Sequence, residues 1–157
     1  MKPIQKWLDE YGESHQNSIN KKIHWICVPA IMFSIIGLFW SIPHHYMPII
    51  YGDIQLNWAM IITTIILTFY ARLSLIMALG MLGIGVFILG GNLLLENYFI
   101  TPLWIISLFV FVLAWIGQFI GHKIEGKKPS FLEDIQFLLI GPAWLLSFIF
   151  NKIGIRY

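Results

Sequence analysis

Long apolar runs, separated by short polar segments, constrain this chain more than any other feature of its sequence. A helix of about 20 mainly apolar residues crosses the roughly 30 Å hydrocarbon core of a bilayer. Of the 157 residues, 58% are hydrophobic and 11% are charged, whereas a soluble domain of this size needs more charge to cover its surface. The sequence therefore predicts an all-α fold, a polytopic membrane helical bundle, in which residues 1–157 form a single membrane-embedded domain.

We assign four to five transmembrane helices to these runs. Residues 56–95 are too long for one span, and Arg72 divides them into two spans joined by a tight turn. Pro29 lies inside the first span and is expected to kink it one turn past His24. The predicted spans cover about residues 23–42, 56–71, 74–95 and 101–122, with a fifth spanning or re-entrant segment at about 131–150.

A short amphipathic helix is predicted before the first span, at residues 3–16. Trp7, Tyr11 and His15 fall at positions i, i+4 and i+8, so they form a stripe along one side of this helix. Such a helix either lies in the membrane interface or packs on the rim of the bundle.

Counting the spans assigns each polar group to one side of the membrane. The chain returns to its N-terminal side after the second and fourth spans, so His15, His24 and His122 share that side. His44 and His45 fall on the opposite side. Eight of the ten basic residues fall on the N-terminal side, which makes that side cytoplasmic by the positive-inside rule. These eight are Lys2, Lys6, Lys21, Lys22, Arg72, Lys123, Lys127 and Lys128, and the other two are Lys152 and Arg156.

A polar helix face ends the fourth span. Gln118, His122 and Glu125 lie at positions i, i+4 and i+7, which place an amide, an imidazole and a carboxylate on one side of a helix. Ionisable groups at or within a membrane are costly and are functional candidates for that reason. This face is therefore predicted to be half of a site.

The other half is predicted between His15 and His24. These residues are nine positions apart, about 180° round one straight helix, so they converge only if the chain turns between them. A break near Asn17 is therefore required. Asn20 is a candidate N-cap of the next helix and lies four residues before His24.

Three histidines, one carboxylate and two amides at one end of a bundle are typical of a metal site. Two or three imidazoles with or without one carboxylate, leaving open positions, form the ligand set of oxygen-using non-haem iron enzymes. Simpler interpretations remain open from the spacing alone. A histidine at a membrane interface often only anchors or hydrogen-bonds, Glu125 fits an ordinary loop charge, and Asn20 fits a helix cap.

Two segments of the sequence resemble the 2-hydroxy fatty acid dioxygenase family of fatty acid α-oxidation, which consists of small polytopic membrane proteins typified by the yeast endoplasmic-reticulum enzyme. The resemblance is concentrated in residues 7–29 and 115–130, while the middle spans match only in hydrophobicity. The residues that carry it are Tyr11-x3-His15-x4-Asn20-x3-His24-x4-Pro29 and Gln118-x2-Gly121-His122-x2-Glu125-x3-Pro129.

This resemblance implies an Fe2+-dependent dioxygenase that uses O2 to convert a long-chain 2-hydroxy fatty acid into the fatty acid one carbon shorter. By the same resemblance, His15, His24 and His122 are the expected iron ligands. Glu125 is expected to be a fourth ligand or a carboxylate that orients an imidazole. The expected supporting or substrate-contacting residues are Asn20 and Gln118, with Arg72, Lys123, Lys127 or Lys128 attracting the substrate carboxylate.

Two other classes of function remain open from the sequence. A non-catalytic membrane protein could bind haem through two of the histidines, such as His24 and His122, and a lipid-binding helical bundle could bind no metal at all. We expect membrane lipid as a partner and no nucleic acid. The sequence suits a bacterial inner membrane as well as the endoplasmic reticulum, and it leaves the oligomeric state open.

Overall fold

A computed structural model describes residues 3–52, 54–126 and 138–157 of the chain. In these ranges it contains six α-helices and one short β-hairpin. The helices are α1 (Ile4–Glu13), α2 (Ser18–Trp40), α3 (Trp58–Leu73), α4 (Leu75–Tyr98), α5 (Leu103–Glu125) and α6 (Ile140–Ile153). The strands are β1 (Ile49–Tyr51) and β2 (Ile54–Gln55), which pair antiparallel within the predicted loop. The predicted all-α class is confirmed.

The predicted count of four to five spans is not confirmed by the described residues. In the described part of the chain, three helices, α2, α4 and α5, are long and apolar enough to cross a membrane. The apolar helices α3 and α6 have 16 and 14 residues and are shorter than that. The predicted start of the fifth segment, at residue 131, lies outside the described residues, as do Lys2, Lys127 and Lys128.

The predicted break between the first two helices is present. Helix α1 ends at Glu13, and α2 begins at Ser18. The cap of α2 is Asn17, whose side chain accepts hydrogen bonds from the backbone N–H groups of Ile19 (2.8 Å) and Asn20 (3.3 Å). The prediction that Asn20 caps this helix is wrong, because Asn20 lies inside the first turn with its side chain fully buried.

The predicted division of residues 56–95 is confirmed. Only Ser74 separates α3 from α4. Its N–H donates to the Tyr70 carbonyl (2.8 Å), which closes α3, and its hydroxyl accepts from the Met77 N–H (3.2 Å), which caps α4. Arg72 is exposed in the last turn of α3. This tight connection makes α3 and α4 neighbours of opposite direction.

Helix α2 is the centre of the bundle and packs most extensively on α5. Two glycines on α5 allow the close approach. A Cβ atom on Gly117 would lie 2.5 Å from the Cys27 sulfur, and one on Gly121 would overlap the Asn20 side-chain oxygen. Small residues commonly serve this purpose between helices in lipid.

Helix α1 packs on the rim of the bundle, against α6. Leu8 and Tyr11 are buried in the same apolar cluster as Ala143 and Trp144. The aromatic stripe predicted for α1 therefore faces protein, and it brings the residues that follow α1 over the end of α2.

Candidate metal centre

Three buried histidines meet at one end of the bundle. His15 follows α1, His24 lies in the second turn of α2, and His122 lies in the last turn of α5. One ring nitrogen from each lies within 4.8 Å of the other two. The structure thus brings together the three histidines that span counting placed on one side. Their role as metal ligands stays a prediction.

Backbone carbonyls fix how two of these rings are oriented. The Nδ1 atom of His15 lies 2.6 Å from the Tyr11 carbonyl oxygen, and Nδ1 of His24 lies 2.9 Å from the Asn20 carbonyl oxygen. A carbonyl oxygen only accepts hydrogen bonds, so each Nδ1 carries the proton. In the neutral rings, the lone pairs are therefore on the two Nε2 atoms.

Those two Nε2 atoms face each other at 2.8 Å. Two nitrogen lone pairs at this distance repel each other unless a cation or a proton lies beside them. Metal–nitrogen bonds of about 2.0–2.1 Å at right angles would separate two imidazole nitrogens by about 3 Å. The separation, the tautomers and the choice of donors therefore fit a shared transition-metal ion.

Aromatic packing holds the His15 ring in place. The Tyr11 ring stacks on it with centroids 4.2 Å apart and planes 9° apart, and Trp144 lies 5.3 Å away. Tyr11 thus contributes both a carbonyl and a ring to the orientation of His15. The sequence placed Tyr11 on the same stripe but predicted no site role for it, because the role depends on contact with α6.

Glu125 binds the turn that carries His15 and lies outside the histidine cluster. Its carboxylate accepts hydrogen bonds from the backbone N–H groups of Gln16 (2.8 Å) and Asn17 (3.0 Å) and from the Asn20 side-chain amide (2.9 Å). The group of ligand atoms within 4.8 Å of one another contains the three histidines and not Glu125. Of the two roles predicted for Glu125, this arrangement favours support of the histidines.

Asn20 connects that carboxylate to the centre. Its side-chain amide donates to Glu125, while its backbone carbonyl orients the His24 ring. Its side-chain oxygen is buried beside Gly121 and accepts no hydrogen bond from any residue in the described ranges. A site of this kind commonly orients its metal ligands through such outer contacts.

An apolar cavity of about 80 Å³ opens beside His24 and His122. Gln118, one turn before His122, is buried and lines the same polar end. The remaining wall is mostly apolar and comes from Tyr11 of α1, from α2, α3 and α5, and from residues 138–142 before and at the start of α6. Tyr70, whose hydroxyl donates to the Leu139 carbonyl, was not predicted, since nothing in the sequence pairs α3 with that segment.

None of the predicted basic and loop residues that lie in the described ranges lines the cavity. Lys123 and Arg72 are exposed, and neither lines the cavity. His44 and His45 follow the C-terminal end of α2, at the opposite end of that helix from His24. His44 interacts there with the Ile42 carbonyl at 3.0 Å.

Comparison with known proteins gives one family and one curated relative. Residues 1–153 match the family described as 2-hydroxy-palmitic acid dioxygenase Mpo1-like. Over 153 residues the chain is 29% identical to 2-hydroxy-palmitic acid dioxygenase MPO1 of Saccharomyces cerevisiae, an alignment that covers 96% of this chain and 82% of the yeast protein. No solved structure matches the chain.

Proposed function

The chain belongs to the Mpo1-like family, and on that premise we propose that it is an Fe(II)-dependent dioxygenase of long-chain 2-hydroxy fatty acids. Its product would be the fatty acid one carbon shorter. The observation that carries the proposal is a cluster of three buried histidines, two of which, His24 and His122, line the polar end of an otherwise apolar cavity. The name of the yeast relative, a 2-hydroxy-palmitic acid dioxygenase, supports the same substrate class.

His15, His24 and His122 would hold the iron, which when bound supplies the activation of O2. Two of these rings are already oriented by backbone carbonyls, so little ordering is needed when the ion binds. Glu125 and Asn20 hold the α1–α2 turn against α5, and His15 keeps its position because of that contact.

The cavity would bind the substrate with its head group at the histidines. Gln118 lines that end, and its amide can donate a hydrogen bond to the carboxylate or the 2-hydroxyl group. The tail would lie along the apolar side chains of α2, among them Val28 and Ile31. Burial of the tail excludes water from the reacting end.

The same arrangement suggests where the enzyme works. Three apolar helices of spanning length are compatible with a membrane protein, and membrane lipid would surround them. The excess of basic residues on the N-terminal side of the predicted spans supports a cytoplasmic position for the histidine end. The host membrane would be a bacterial inner membrane or the endoplasmic reticulum.

The geometry does not favour haem. The His24 and His122 rings are 5.2 Å apart between centroids, with planes 88° apart. Two axial ligands need a flat macrocycle between them, and the His15 ring packs against both of these rings, with centroids 4.2 Å from His24 and 5.3 Å from His122, where that macrocycle would lie. The optical spectrum checks this point, because a strong Soret band in the purified protein would favour haem.

The decisive test is turnover by the detergent-purified protein. It is loaded anaerobically with Fe(II), mixed with O2 and 2-hydroxy-palmitic acid, and analysed for the 15-carbon acid. We expect product that disappears after chelation and returns with Fe(II). Iron-loaded, folded protein that forms no shortened acid from any long-chain 2-hydroxy acid would refute the proposal.

A further inference from the structure

A second, smaller cavity lies beyond the deep end of the histidine-lined cavity. Three side chains, Met32, Ile36 and Ile66, line both cavities, so they form a partition between them. The remaining wall of the second cavity is formed by Thr63, Leu67, Met81, Gly85 and Ile88. No polar group of the metal centre reaches this region, because its walls are the middle parts of α2, α3 and α4.

We propose that the partition of Met32, Ile36 and Ile66 sets the longest acyl chain that the protein accepts. The inference rests on the proposed function, since it takes the first cavity to be the place of the acyl tail. Beyond that function, it identifies three side chains far from the reacting end that determine specificity for chain length. It also identifies a second cavity behind them that the substrate tail does not enter.

The length of the first cavity along α2 agrees with this role. The cavity is lined from His24 to Ile36, and these positions are about 18 Å apart at 1.5 Å per residue. An extended alkyl chain with bonds of about 1.52 Å and angles near 111° advances about 1.25 Å per carbon. The lined stretch of α2 is therefore as long as about 14 extended carbons, the number that follows the two head-group carbons of a 16-carbon 2-hydroxy acid.

Chain-length selection then has a simple physical basis. Each further buried methylene raises affinity about fourfold while the cavity has room for it. At the partition the gain stops, because an added methylene must displace well-packed side chains. Removing one partition side chain would join the cavities and let the gain continue.

The test compares two isoleucines that differ in one respect. Ile66→Ala removes three carbon atoms from the partition, whereas Ile35→Ala removes the same three atoms from a position that lines only the first cavity. Relative affinities of 2-hydroxy acids of 12 to 22 carbons are measured by displacement of a fluorescent fatty acid from the purified protein. Circular dichroism and thermal unfolding verify that each variant is folded.

We expect wild-type affinity to rise with length up to about 16 carbons and then stop rising. In Ile66→Ala the ratio of affinities for the 18-carbon and 16-carbon acids should rise about 15-fold, because about two more methylenes are buried. In Ile35→Ala that ratio should stay within about twofold of wild type. Met32→Ala opens the same partition from α2 and provides the test if Ile66→Ala does not fold.

A refilling variant separates the partition from general loosening. A Cβ atom on Gly85 would lie 3.2 Å from the Thr63 methyl group, so a side chain there enters the second cavity. Ile66→Ala combined with Gly85→Val should return the length profile toward wild type.

The two proposals fail in different ways. Binding that depends on length, with the profile shifted by Ile66→Ala but without any shortened product, would refute the dioxygenase and keep the partition. If product forms but wild type, Ile66→Ala and Met32→Ala all show the same dependence of affinity on chain length, the partition is refuted and the dioxygenase is not. An equal shift in Ile35→Ala, or no dependence of wild-type affinity on length, would also overturn it.

Discussion

Replacing Glu125 by alanine separates the two roles that this carboxylate can have. As a metal ligand, its loss would remove one bond to the ion. As the acceptor that holds the α1–α2 turn, its loss would leave all three histidines present but free the turn that carries His15. The contacts of Glu125 favour the second outcome, which is a partial loss of metal affinity.

The magnitude follows from the three donors that Glu125 accepts from. A hydrogen bond to a charged group contributes about 1.5–3 kcal/mol, and less where water can replace the acceptor. Gln16 is exposed and Asn17 is half-buried, so their N–H groups regain water, while the Asn20 amide is buried and does not. We therefore expect Glu125→Ala to destabilise the protein by about 2 kcal/mol. Loss of an outer partner of a metal ligand typically lowers metal affinity by about 10–100-fold.

The assay is competition between the protein and a chelator for Fe(II) under anaerobic conditions, with thermal unfolding measured in the same detergent. Glu96→Ala is the matched control. Glu96 is also a carboxylate at the C-terminal end of a helix, α4, and it accepts one hydrogen bond from the Trp40 indole at 2.7 Å, but it lies away from the histidines. If Glu125→Ala abolishes iron binding as fully as His24→Ala does, Glu125 is a ligand. Unchanged iron affinity would refute the supporting role.

Three further predictions concern the histidines and the helix contacts. His15→Ala, His24→Ala and His122→Ala should each abolish iron binding and turnover, while His44→Ala and His45→Ala should change neither; full activity of His122→Ala would contradict the proposed centre. Gly121→Ala should lower iron affinity at least tenfold, because its methyl group overlaps the Asn20 oxygen, whereas Gly90→Ala, which meets open space, should not. Gly37→Ala should lower the unfolding free energy by about 1–3 kcal/mol, because its methyl group would overlap the Asn92 and Ser107 side chains. The control is Gly83→Ala, where an added methyl group meets open space. Equal thermal unfolding curves for the two variants would contradict the prediction.

The end of the bundle at which each histidine lies could be predicted from the sequence. The length of the apolar stretch around Arg72 required two helices there, and this put His122 at the same end as His24. The nine-residue separation of His15 and His24 required a break, which the structure has at residues 14–17. Both inferences use only helix length and helix period, which depend on local sequence.

Contacts between distant residues could not be predicted in the same way. Asn17 and Asn20 both suit a helix cap, and the choice between them depends on the burial of Asn20 against Gly121 of another helix. Likewise, a partition formed by side chains of α2 and α3 depends on how these helices pack.

The hydrogen bond from Gln16 to Glu125 joins residues 109 positions apart. It has a consequence for how the protein is made. During synthesis, His15 and His24 reach the membrane early, and they lack His122 as a neighbour until α5 has been synthesised and inserted. The histidine cluster is thus incomplete until α5 is in place, and α6, whose Trp144 packs against His15, is synthesised after that. Uptake of the proposed metal by a newly made chain would therefore report that α5 has been inserted, and a chain that stalls before α5 would lack His122 and should remain without metal.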